Sequence, residues 1–158
     1  EALRAGDTEA AVGLARRALQ RAEEEAPEAP LVRASRLSGL ATALRANGEV
    51  EEAAEAAEAA VVIGDEHAAL FPPSLRAQHL NVLGGVCREL GEPEESVEAY
   101  ERAVECLCGG GAGAGAAGDR GMGASLNNLA LAYAAAGNPG GAELLLQRTV
   151  AMAEGEGD

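Results

Sequence analysis

Four glycines, Gly6, Gly48, Gly91 and Gly137, stand 42, 43 and 46 residues apart, each between two apolar stripes of helical period. A pair of amphipathic helices joined at such a glycine cannot bury its apolar faces alone. A chain built of recurring pairs must therefore stack each pair on its neighbours.

The clearest copy is Ser125–Glu154. Leu126, Leu129, Ala130 and Tyr133 fall at i, i+3, i+4 and i+7, the stripe of a helix packed on one side. Gly137 can take the positive φ that ends such a helix, and Asn138-Pro139 suits the start of the next. Ala142, Leu145, Leu146, Thr149 and Val150 then form a second stripe. The same order surrounds Gly91, with Leu80, Leu83, Gly84 and Cys87 before it and Pro93, Ser96, Tyr100, Ala103 and Val104 after it. Around Gly48 the stripes are Leu37, Leu40, Ala41, Leu44 and Val50, Ala53, Ala57, Ala60, Val61. Gly6 is expected to turn a short first helix into one carrying Thr8, Ala11, Ala15, Ala18 and Leu19. The periodicity thus predicts helices over 7–26, 31–47, 49–67, 74–90 and 93–107, and a last hairpin over 122–154. The glycine-rich stretch 109–121 reads as a flexible loop and residues 155–158 as a frayed tail.

This pattern resembles the tetratricopeptide repeat, in the long-period form found in kinesin light chains. The stretch LNNLALAYAAAGNPGGAELLLQRTVAMAE (126–154) is similar to that type of repeat along its whole length. The resemblance implies an all-α, right-handed α-solenoid of antiparallel helix pairs over residues 1–154, divided into 1–30, 31–73, 74–108 and 122–154. It also implies a non-catalytic scaffold for protein–protein interaction.

Net charge narrows the partners. At −14, with 12 basic residues against 26 acidic ones, the chain is a poor match for nucleic acid, which needs a basic face. No apolar run has membrane-spanning length and no signal peptide opens the chain. Three cysteines, Cys87, Cys106 and Cys108, do not make a disulfide framework, which points to a reducing, cytoplasmic setting. The cysteine spacing matches no zinc pattern, so neither metal nor cofactor is expected. Gly113, Gly115 and Gly118 fit a dinucleotide fingerprint in spacing but lack the strand that must precede it, so they read as linker. No nucleophile stands beside a base, and no enzymatic function is expected. The half-length first copy suggests a fragment of a longer protein, whose open end would invite end-to-end self-association.

On the first helix of each pair, four positions point away from the apolar stripe and share one side at 100° per residue. In successive copies they read Ser35, Ser38, Thr42, Arg45, then Gln78, Asn81, Gly85, Arg88, then Ala124, Asn127, Leu131, Ala134, with Asn128 flanking. By resemblance this side lines the concave groove that holds an extended peptide. Amides offer both a donor and an acceptor to a peptide backbone, and guanidinium can hold a carboxylate on two nitrogens. Arg33, Arg36, Arg45, Arg76 and Arg88 lie on these helices against Glu89, whereas the alternating helices carry most of the glutamates. An acidic peptide segment is therefore the expected ligand. The alternative reading is a structural or oligomerisation segment of a larger signalling or motor-adaptor protein.

Overall fold

The computed structural model describes residues 2–109 and 116–154. Seven α-helices follow one another among them: α1 (Ala2–Glu25), α2 (Pro30–Asn47), α3 (Val50–Glu66), α4 (Pro73–Leu90), α5 (Pro93–Gly109), α6 (Ala116–Ala135) and α7 (Pro139–Glu154). A short 3-10 turn, Ala68–Leu70, follows α3. No described residue lies in a strand.

Three turns repeat one piece of hydrogen-bond chemistry. Gly48, Gly91 and Gly137 take φ of 86°, 80° and 74°. At the first, the Gly48 N–H donates to the Arg45 carbonyl (3.1 Å) and the Glu49 N–H to the Leu44 carbonyl (3.0 Å). Gly91 and Glu92 donate likewise to Arg88 and Cys87, and Gly137 and Asn138 to Ala134 and Tyr133. Each pair satisfies carbonyls that the ending helix leaves open, in the six-to-one pattern of a left-handed helix cap. At the third turn the Asn138 side chain also starts α7, its Oδ1 accepting from the Gly141 N–H at 3.0 Å. No Cβ clash opposes a side chain at Gly91, so the cost of replacing it is the backbone conformation alone. Gly91→Ala should cost about 1–2 kcal/mol, and thermal denaturation should show a midpoint lowered by a few degrees.

The chain forms two compact units, residues 1–72 and 73–158. In the first, α1 packs on α2 and α2 on α3. The interface is built mostly of alanine: Ala34, Ala41, Ala53, Ala57 and Ala60 are at most 1% exposed, and Leu44 is fully enclosed among them. In the second unit, α4 packs on α5, α5 on α6, α6 on α7, and α4 also touches α6. Tyr100 of α5 is its largest enclosed side chain, seated on Gly84 of α4. Ser96, also enclosed, donates its hydroxyl to the Gly84 carbonyl at 2.8 Å. Leu129 and Ala132 of α6 close over Tyr100, with Val97, Val104, Tyr133 and Leu145 around them.

The backbone departs from the sequence expectation in two places. Gly6 makes no turn: α1 runs through it, and its φ is not positive. With that turn gone the buried stripe shifts by one residue, so Val12 is 2% exposed while Ala11 faces solvent. Valine removes more apolar surface from water than alanine, and the register that buries it wins. Residues 116–121, expected as loop, are the opening of α6. That segment packs back on α5: a Cβ on Gly121 would sit 4.0 Å from Leu107 Cδ1. Residues 110–115 of the expected loop, and the expected tail at 155–158, lie outside the described residues.

Candidate functional site

In the second unit the predicted positions come from α4 and α6, which lie side by side. The Asn81 amide donates through Nδ2 to the hydroxyl of Ser125 at 2.8 Å, tying the two helices together. Ser125 is completely buried and Asn81 half-buried. Above this tie, Gln78 and Arg88 of α4 and Asn127 of α6 are exposed, and Leu131 is 50% exposed. Asn128 is half-buried and Gly85 is buried. The result is a polar shelf with one apolar contact point and one guanidinium. It offers donors, acceptors and a positive charge to a bound chain, and no acid–base pair.

Asn81 is the clearest correction. Its equivalence with Asn127 predicts that both meet a ligand, but the Asn81 donor is committed to Ser125. Asn81 acts as a clamp between helices, and Asn127 keeps its amide for solvent.

In the first unit α2 carries the other predicted set. Ser38 is 5% exposed and packs in the core, so it cannot line a groove. The Ser35 hydroxyl donates to the Leu31 carbonyl (2.8 Å) and Thr42 to the Ser38 carbonyl (3.0 Å), each four residues back along the same helix. Thr42 stays exposed, while Ser35 and Arg45 are half-buried. The arginines of α2 do not share one face. Arg33 lies 3.8 Å from Glu23 of α1, and Arg36 lines a different cleft, between α1 and α2.

That cleft, about 490 Å³, is lined by Leu14, Arg17, Arg21, Glu25, Val32 and Arg36 among others. It was not anticipated from the sequence. The signal for it is Arg17 and Arg21, one helical turn apart on α1 beside Leu14.

Elsewhere the polar contacts join helices. Arg16 of α1 reaches both carboxylate oxygens of Glu52 at 2.8 Å and Glu49 at 3.4 Å. Its hydrogen bond to Glu52 raises the guanidinium above its already high value. Thr8 donates to Asn47 Oδ1 at 2.6 Å, and Asn47 Nδ2 to Glu49 at 2.7 Å. Tyr133 donates to the Glu101 carboxylate, and this bond, with partial burial, pushes the phenol above its ordinary range. Cys87 is buried, Cys106 half-buried and Cys108 exposed, each a free thiol. Among the described residues no three His, Cys, Asp or Glu side chains group as metal ligands, and no helix is long and apolar enough to cross a membrane.

Comparison with known proteins places the geometry. Two profiles described as tetratricopeptide repeat match the chain, one over residues 39–117 and the other over residues 123–155. A crystal structure of a kinesin light chain from Podosopora anserina, with nearly identical TPR-like repeats, superposes with a TM-score of 0.77 at 27% identity. The match covers 93% of this chain and 67% of that one. BtubC (BKLC) from P. vanneervenii shares the fold at a TM-score of 0.57 and 21% identity, over 96% of this chain and 75% of that one. None of the curated proteins matches the chain in sequence.

Proposed function

As the chain belongs to the tetratricopeptide repeat family, of kinesin light chain-like type, we propose that it is a non-catalytic protein–protein interaction scaffold. Its ligand in this reading is an extended acidic segment of a partner protein, laid across the shelf on α4 and α6. The observation that carries the reading is the Asn81–Ser125 clamp, with Gln78, Arg88, Asn127 and Leu131 exposed above it. The clamp holds two helices in fixed register without using the outer groups. Those groups are then pre-positioned, which lowers the entropy lost on binding. Asn127 and Gln78 suit the amides of an extended backbone, Arg88 suits a carboxylate, and Leu131 suits an apolar side chain between them. On α2, Thr42 and Arg45 are the remaining candidates.

The test uses the full chain and a fluorescein-labelled peptide of alternating glutamate, serine and leucine, with fluorescence anisotropy as the readout. Arg88→Glu/Asn127→Ala should weaken binding at least about tenfold, since a hydrogen bond to a charged group contributes roughly 1.5–3 kcal/mol. Unchanged affinity would remove the shelf from the function.

A further inference from the structure

The repeat provides its own reference for the cleft between α1 and α2. Aligning the turn glycines 48 and 137 sets Arg36 of α2 where Ser125 stands in α6. Aligning Gly6 with Gly91 in the same way sets Leu14 and Ala18 of α1 where Ala99 and Ala103 stand in α5. In the second unit all three reference positions are out of solvent: Ala99 at 3%, Ala103 at 0% and Ser125 at 0%. There α4 completes a three-helix contact with α5 and α6, and Asn81 of α4 reaches Ser125. In the first unit, no third described helix of that unit fills the equivalent place. Leu14 is 61% exposed, Val32 is 38% exposed and Arg36 faces solvent. The cleft of about 490 Å³ is this seat.

Charge then selects what sits in it. On one side of α1, the arginines of the first unit have acids to meet: Arg16 with Glu49 and Glu52, and Arg33 of α2 with Glu23. On the cleft side, Arg17, Arg21 and Arg36 are exposed, and Glu25 is the one acid among the lining residues. Three guanidinium groups around Leu14 and Val32, in a chain of net charge −14, form a local field opposite to that of the whole molecule. We propose that this cleft is a docking site for an acidic amphipathic helix of a partner protein. The helix would take the place that α4 takes in the second unit. Its apolar stripe would cover Leu14, Ala18 and Val32, and its flanking carboxylates would meet Arg17, Arg21 and Arg36. A second copy of this chain is not the source. Its acidic helices α3 and α5 already bury their apolar faces, through Ala53, Ala57 and Ala60 in one and Tyr100 and Ala103 in the other.

The probe is a fluorescein-labelled helical 18-mer with leucine at i, i+3, i+4 and i+7 and glutamate on both flanks. Two control peptides replace its glutamates with lysine or its leucines with serine. Anisotropy should show binding of the glutamate peptide, at least about tenfold weaker binding of each control, and weakening by salt as exposed charges are screened. Arg17→Glu/Arg21→Glu/Arg36→Glu should lose binding at least about tenfold with an unchanged circular dichroism melt, since all three side chains are exposed. Leu14→Ser should weaken binding as well. Arg88→Glu, which tests the shelf on α4 and α6, should leave this affinity intact, so the two sites fail or stand separately. Equal binding of the lysine peptide, or full binding by the triple variant, would overturn the assignment. So would a concentration-dependent dimer in sedimentation that the triple variant abolishes, since that gives the cleft to a second copy.

Discussion

Tyr100→Ala should lower the unfolding free energy by about 3–5 kcal/mol, the usual cost of emptying an enclosed aromatic site. The ring is 2% exposed and lies against Leu129 and Ala132, with Val97, Val104, Tyr133 and Leu145 packed around them. Its seat is shaped by a missing side chain. A Cβ on Gly84 would come within 2.9 Å of Tyr100 Cζ and 3.0 Å of Cε1 and Cε2. Glycine in mid-helix costs roughly 0.5–1 kcal/mol relative to alanine, and that cost is offset here by the aromatic contact it permits. The cavity left by alanine cannot close easily. Ser96 already fixes α5 to α4 through the Gly84 carbonyl, and Asn81 fixes α4 to α6. Urea titration by circular dichroism gives the free energy. Hydrogen exchange should place the lost protection in α4, α5 and α6. A loss under about 1 kcal/mol would mean that the ring does not organise this unit.

The turns at Gly48, Gly91 and Gly137 were legible because glycine, helical stripes and the following Glu or Asn-Pro all agree at each of them. Gly6 satisfied the spacing alone. Spacing cannot tell a helix-ending glycine from one within a helix, because the difference lies in whether the next carbonyls gain partners from a turn. The apolar stripes of α2, α4 and α5 were read correctly, since a large aliphatic or aromatic side chain leaves little choice of face. An alanine-rich helix such as α1 leaves that choice to one valine.

The binding face was legible as a set of positions and less so as a set of available groups. A helical wheel divides a helix into one buried side and one open side. A helix with partners on two sides has a narrower open arc. In α4, Ala77, His79, Leu80, Gly84, Gly85, Val86 and Cys87 are all buried. This is why Ser38 and Asn81, polar and co-facial with exposed residues, proved to be a core residue and an interhelical clamp. The arginines of the cleft escaped notice for the opposite reason. Arg17, Arg21 and Arg36 look like ordinary solvated charge until α1 and α2 are packed together and Leu14 and Val32 are found between them.

The first unit should be most sensitive at Leu44, with Leu44→Ala costing about 2–5 kcal/mol. The reasoning differs from that for Tyr100. Alanine against alanine brings α2 close to α3, but each such contact removes little apolar surface from water. Leu44, 0% exposed, is the largest fully enclosed side chain of this unit. Its backbone also belongs to the cap, since its carbonyl accepts the Glu49 N–H at 3.0 Å. The helices around it cannot draw in to fill the space, because Ala41, Ala57 and Ala60 already hold them at close range. Leu44→Met, which keeps the volume, should cost less than about 1.5 kcal/mol, so a full loss with methionine would place the effect in the cap and not in packing. Hydrogen exchange on Leu44→Ala should show α2 and α3 deprotected first. With a core this thin, the docking cleft formed by α1 and α2 should lose its helical ligand in the same variant, whereas the shelf on α4 and α6 should keep its extended one. Parallel loss of both would mean that the two units unfold as one.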